Sequence, residues 1–284
     1  MQLRLLFLDD AAQNQCSRQR VGKLVAIGGI AIEASACRTL EIAIDDLCLK
    51  TYGFPEGEPF KWSPNKDHWM RENLIGARRE QFFGEVLRLA QEHGAVGMVT
   101  VADATKGLAT SQAETHEMDV LILTLERFDL ALEQDIGMVV AARPSGGRKD
   151  EDKFLVACAE VINAGTDYVR FKKLVTNIVT MPFANSRLLQ LADLVASITT
   201  AMVAGHEEFR KSVSCGQDHS SNARRQDWRS QDSPRSFLRQ SVPLAVGRPT
   251  FQEQQVADCK PAISCKWGQL LAVVDFSKVV RSKG

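Results

Sequence analysis

Leu3-Arg4-Leu5-Leu6-Phe7-Leu8-Asp9-Asp10 opens the chain with a nearly continuous apolar run that stops at two carboxylates. Side chains in a strand alternate between faces, so a run apolar at successive positions predicts a strand covered on both sides. Lys23 to Ile32 is a second such run, with Gly28-Gly29 marking a bulge or a close backbone approach. Two early strands covered on both faces call for helices on each side of one sheet.

The chain supplies those helices in turn. Leu40 to Leu49 has helical spacing, a Gly- and Pro-rich loop spans Tyr52 to Pro64, and Glu72 to His93 reads as one amphipathic helix closed by Gly94. Ala95 to Ala102 is a strand, Gln112 to Gln134 a long helix, and Ile136 to Ala142 a strand. Asp150 to Asn163 is a helix ended by Gly165, Leu174 to Thr180 a strand, and Ser186 to Ala204 a helix stopped by Gly205. The order predicts an α/β protein, with a mixed sheet flanked by helices.

Composition bounds what such a protein does. The 284 residues carry 35 Lys+Arg against 35 Asp+Glu, which argues against a surface that is basic throughout and leaves room for a local basic groove. Seven cysteines include no C-x-x-C pair, and the five histidines are scattered, so a zinc site is not expected. No apolar run reaches the roughly 18–20 residues of a membrane span, and Asp9-Asp10 follows the first run too soon for a signal peptide. The expectation is a cytoplasmic protein with no membrane partner.

The last quarter differs. Arg210 to Gln240 holds seven Lys+Arg, seven Ser and four Gln with hardly an apolar residue, followed by fragments such as Leu270-Leu271-Ala272-Val273-Val274. The expectation is a domain over residues 1–208 and an irregular or disordered tail over 209–284. Two readings of the tail stand: a linker with a short terminal strand, or a frameshifted extension that begins near residue 210.

Asp193 is the most informative residue for chemistry. It interrupts Leu188-Leu189-Gln190-Leu191-Ala192-Asp193-Leu194-Val195-Ala196, a helix apolar nearly all round, and an unpartnered buried carboxylate costs several kcal/mol. Ser186, Gln190, Asp193, Ser197 and Thr200 form a polar seam about 80° wide. Asp193 is therefore either a buried ion-pair or hydrogen-bond partner, or a metal ligand on a helix that leans on the first strand. Asp9 and Asp10 end that strand, at the sheet edge where ligands of α/β proteins bind. Their side chains point to opposite faces, and Asp9 is the better placed of the two.

The helix after the third strand has a comparable seam, with His116, Asp119 and Glu126 within about 80°. It either carries part of a site or simply surfaces there. In the loop, Lys61 and Trp62, with Lys66, His68 and Trp69, could hold a phosphate and stack a base, or the tryptophans could pin the loop to the core. There is no P-loop and no nucleophile elbow.

Together these segments resemble a family, the prokaryotic domain of unknown function 3800. Leu6-Phe7-Leu8-Asp9-Asp10-Ala11 resembles its opening motif, Val25 to Ile30 its second strand, and Glu58 to Ser63 its Glu-apolar-His/Lys motif. Leu125-Glu126-Arg127 looks like its central helix, and Leu189-Gln190-Leu191-Ala192-Asp193-Leu194-Val195 its terminal-helix signature. The resemblance covers roughly residues 3–207. It implies a ribonuclease H-like fold and a metal-dependent nuclease that hydrolyses phosphodiester bonds of RNA or DNA with Mg²⁺ or Mn²⁺.

The implied catalytic carboxylates are Asp9 and Asp193, with Asp119 or Glu126 on the helix after the third strand. Asp9, Asp10 and Asp193 are the implied metal ligands, and Lys61, Trp62 and Arg143 the substrate-binding residues. One position departs from the pattern: Ala142 stands at the end of the fourth strand where the family's pattern has an Asp. Two metals need several bridging oxygens, so impaired catalysis is expected. The alternative is an inactive nucleic-acid-binding or regulatory protein of the same fold.

Overall fold

The computed structural model describes residues 1–206 and the strand Gln269–Val274. The expected irregular tail otherwise lies outside the described residues. The strands are β1 (Leu3–Gln13), β2 (Leu24–Glu33), β3 (Val96–Asp103), β4 (Ile136–Ala142), β5 (Val179–Met181) and β6 (Gln269–Val274). The helices are α1 (Ala34–Asp46), α2 (Trp69–Asn73), α3 (Ala77–Glu92), α4 (His116–Ala131), α5 (Arg148–Ala164) and α6 (Arg187–Ala204).

One mixed open sheet runs in the order β5-β4-β1-β2-β3-β6. β2 is antiparallel to both β1 and β3, β6 is antiparallel to β3, and β4 is parallel to both β1 and β5. The α/β architecture expected from the sequence is therefore present. β1 is covered on both faces: Phe7 belongs to a core with α1, α3 and α6, whereas Leu6 and Leu8 belong to a core with α4 and α5. The strand's period of two sorts its residues between these layers.

Several boundaries differ from the sequence pattern. β1 continues five residues past Leu8 to Gln13, paired with β2, so Asp9 and Asp10 lie within the strand and do not end it. The helix expected over 72–93 is two, α2 and α3, separated at Leu74–Gly76, because Gly76 takes φ +54°, which a helix cannot continue through. α4 starts at His116, where the Thr115 hydroxyl accepts the Met118 N–H. The strand expected over 174–180 is reduced to β5, preceded by a single bridge between Gly137 and Leu174.

α6 lies against β1 and β2 in the first core. Ser186 caps it by accepting from Leu188 and Leu189, and Gly205 ends it at φ +87°. A Cβ placed on Gly29 would lie 2.5 Å from the Cβ of Ala192, so only glycine admits α6 this close to the sheet. By length and composition α6 is apolar enough to cross a membrane, and 78% of it is buried inside the protein.

Candidate functional site

Asp9 lies one residue beyond the last β1–β4 pair, Leu8 with Ala141, and so beside Ala142. The neighbours of Asp9 in the pleat, Phe7 and Ala11, face α6, as do Val140 and Ala142 on β4. Asp9, the methyl group of Ala142 and α6 thus share one face of the sheet at the carboxyl end of β4, where the β1–β4 ladder stops and β1 runs on beside β2 to Gln13. Asp193 follows Ala192, which packs against Gly29 of β2, and its charge reaches Asp9.

An extended segment straps this edge to α6. The Arg187 guanidinium donates to the carbonyl of Glu58 at 2.8 Å, the Phe60 N–H donates to Oε1 of Gln190 at 3.1 Å, and the Trp62 N–H donates to Oδ2 of Asp193 at 3.0 Å. Alternate residues 58, 60 and 62 therefore meet positions 187, 190 and 193, one side of α6. The polar seam of α6 is accounted for in this way. Ser186 caps the helix, Gln190 and Asp193 hold the strap, Ser197 donates to Oδ1 of Asp193 at 3.2 Å, and Thr200 bonds back to the Ala196 carbonyl.

The electrostatics of the pair are unusual. Burial pushes the Asp9 carboxyl up to about 7, and the like charge of Asp193 adds to the effect, against the opposing Asp10 N–H and the Lys61 charge. Burial also raises Asp193, opposed by the Trp62 N–H, Ser197 and Lys61. A carboxyl raised this far by burial and a like charge marks a candidate site for a proton or a cation. Lys61 supplies nearby positive charge, its Nζ 4.7 Å from the centroid of the Phe183 ring. Asp10 is exposed, and its charge reaches both Asp9 and Asp193.

The other expected site residues lie elsewhere. α4 packs in the core on the opposite face of the sheet from α6, so neither Asp119 nor Glu126 joins Asp9 and Asp193. Asp119 accepts the Ala109 and Thr110 N–H groups, both at 2.9 Å, and the Thr110 hydroxyl at 2.8 Å, which fastens the loop before α4. Glu126 is buried and accepts the Thr166 hydroxyl. The guanidinium of Arg143 turns toward α5 and pairs with Glu151 at 3.0 Å. The Trp62 ring stacks on Phe83 with centroids 5.5 Å apart, and Trp69 tilts onto Phe54 at 4.6 Å, so both tryptophans pin the loop to the core.

Arg187 and Phe183 are site-forming residues that the sequence did not single out. Arg187 is 8% exposed and also pairs with Asp45 at 2.9 Å, but as a helix-start residue it carried no periodic signal. Phe183 lies in a short turn that no pattern marks.

Among the described residues no group of three or more His, Cys, Asp or Glu side chains is gathered closely enough to hold a metal ion. Asp9 and Asp193 together offer what Mg²⁺ or Mn²⁺ requires of a protein that leaves the remaining positions to water and phosphate, namely one or two carboxylates. Ala142, on the same face, adds a methyl group and no oxygen to these two carboxylates. Compared with known protein families, curated proteins and solved structures, the chain matches none.

Proposed function

We propose that the chain is a ribonuclease H-like relative of the prokaryotic domain of unknown function 3800, with a site that takes one divalent cation and a nucleic-acid phosphodiester. The observation that carries this reading is that Asp9, one residue past the end of the β1–β4 ladder at the carboxyl end of β4, shares a sheet face with α6, the helix of Asp193. Burial and their like charges hold Asp9 near neutrality there. Such an edge is where α/β sheets present ligand-binding groups.

Asp9 and Asp193 would hold the cation. When bound, Mg²⁺ or Mn²⁺ supplies a Lewis acid at a phosphoryl oxygen. The Trp62 N–H and Ser197 hydroxyl fix the orientation of Asp193, and the Lys61 ammonium provides positive charge beside the phosphate. Ala142 removes an oxygen ligand from the fourth-strand position, which makes slow cleavage the expected behaviour. It also favours the second reading, a nucleic-acid-binding protein that has kept the fold and lost turnover.

The test compares the protein with Ala142→Asp on labelled RNA and DNA, with Mg²⁺ and with Mn²⁺. Cleavage that is weak in the first and rises at least tenfold in the second supports the impaired nuclease. Binding without cleavage by either supports the second reading. Neither binding nor cleavage would reject both.

A further inference from the structure

Arg187 breaks the usual rule for helix ends. It is the first residue of α6, where the partial positive charge of a helix N-terminus opposes a cation, and it is buried. A guanidinium kept in such a place needs its donors met by specific partners. Three elements meet them. On α1, Oδ1 of Asp45 lies 3.0 Å from Nε and 2.9 Å from Nη2, and Oε1 of Glu41, one turn away, accepts the Arg187 N–H at 3.1 Å. On the strap the Glu58 carbonyl accepts from Nη1 at 2.8 Å, and on α6 itself Oε1 of Gln190 accepts from Nη1 at 2.9 Å.

The last contact carries the arrangement onward. Oε1 of Gln190 also accepts the Phe60 N–H at 3.1 Å, and Nε2 of Gln190 donates to the Phe183 and Ala184 carbonyls, both at 3.4 Å. Arg187 thus orients the amide that holds the strap on one side and the turn before α6 on the other. Two residues beyond Phe60, the Trp62 N–H reaches Oδ2 of Asp193. A slip of one residue reverses the faces of an extended segment, and in one direction it would set Pro59, which has no N–H, against Gln190. Lysine could not replace the fork, since an ammonium is a point charge without the planar spread that reaches three partners. Resting on the cation site proposed above, we infer that Arg187 is a positioning residue of that site: through Gln190 it sets the strap on α6 so that the Trp62 N–H orients the Asp193 carboxylate.

The experiment uses the full chain, with Arg187→Lys, Arg187→Ala and Asp45→Asn. Amide exchange of Phe60 and Trp62, measured without metal against Leu6 and Leu8 of β1, reads the strap. Electron paramagnetic resonance of free Mn²⁺ reads the site. In Arg187→Lys both strap amides should exchange at least tenfold faster, with the β1 amides within twofold of the parent. Mn²⁺ binding should weaken about tenfold, the lower end of the cost of losing an outer partner of a metal ligand. Asp45→Asn, which leaves the guanidinium in place, should show the same pattern at smaller size. Millimolar guanidinium should restore strap protection and Mn²⁺ affinity to Arg187→Ala, and ammonium at equal ionic strength should not.

Strap and β1 amides that speed up together would overturn the inference, because Arg187 would then only stabilise the domain. So would a Trp62 amide that stays slow while Phe60 becomes fast, since Asp193 would hold the strap unaided. Loosened strap amides with unchanged Mn²⁺ affinity would overturn the positioning of Asp193. A parent chain that binds no Mn²⁺ would reject the cation site, and the exchange comparison would still decide whether Arg187 sets the strap. If Arg187→Lys fails to fold, Asp45→Asn decides, and strap amides as slow as the parent's in that variant would overturn the role.

Discussion

The backbone N–H of Trp62 donates to Oδ2 of Asp193 across 131 residues of sequence, so the carboxylate that marks the site also fastens the strap above it. Removing that acceptor strands a half-buried N–H, a loss of about 1–3 kcal/mol against which the relief of a buried charge is set. Amide hydrogen exchange separates the two effects. Asp193→Asn should keep the Trp62 amide slow, and Asp193→Ala should make it exchange at least tenfold faster. An Ala variant as slow as the parent would show that the strap does not depend on this bond.

Asp9 gives the protein a defined pH response. Its folded carboxyl is raised from 3.8 to about 7, so between these values the folded chain holds a proton that the unfolded chain has released. Stability from this group is therefore full below about 3.8, falls as pH rises through about 7, and is lost above it. At roughly 1.4 kcal/mol per unit, the cost at pH 8 is a few kcal/mol. Without metal, Asp9→Asn should melt higher than the parent at pH 8, with the difference vanishing near pH 4. A difference independent of pH would contradict the assignment.

Ala142→Asp adds a carboxylate to the face that already holds Asp9 and Asp193. In a chelator this variant should be less stable than the parent by about 1–3 kcal/mol, from like-charge repulsion and partial burial. Mn²⁺ should recover most of the loss and raise the melting temperature of the variant more than that of the parent. A metal-free variant as stable as the parent would place residue 142 outside the reach of the two carboxylates.

Asp119 should prove structural. Asp119→Ala leaves the Ala109 and Thr110 N–H groups and the Thr110 hydroxyl without their acceptor, a loss of about 2–4 kcal/mol. Chemical denaturation should register that loss while the Mn²⁺ affinity of the folded variant stays within twofold of the parent. A large fall in affinity without loss of stability would return Asp119 to the site.

The readable parts of this molecule were those in which one local rule leaves a single outcome. The run of Leu6, Phe7 and Leu8 specifies a strand buried on two faces because alternate side chains have nowhere polar to go. Asp193 stood out because a carboxylate among leucines needs a partner, although the identity of that partner, the Trp62 N–H, is a long-range fact. The seam of α4 was equally visible and brought neither Asp119 nor Glu126 to Asp9, because helical periodicity tells which residues share a stripe and not which face of a sheet the stripe meets. The same limit hid the strap: residues 58, 60 and 62 look like loop until Arg187, Gln190 and Asp193 are placed beneath them. The break at Gly76 was hidden because apolar residues on both sides keep helical spacing through it.

The contact of Gly29 with Ala192 works as a spacer of fixed thickness between sheet and helix. A side chain at residue 29 would press on the Phe7 carbonyl and on Ala192, and so on the packing of α6 that positions Asp193. The tolerance of the carboxylate pair is therefore set one residue away from either carboxylate's own chemistry, by an atom that glycine lacks. A search for relatives that keep this site should accordingly weigh glycine and alanine at these two places alongside the acids.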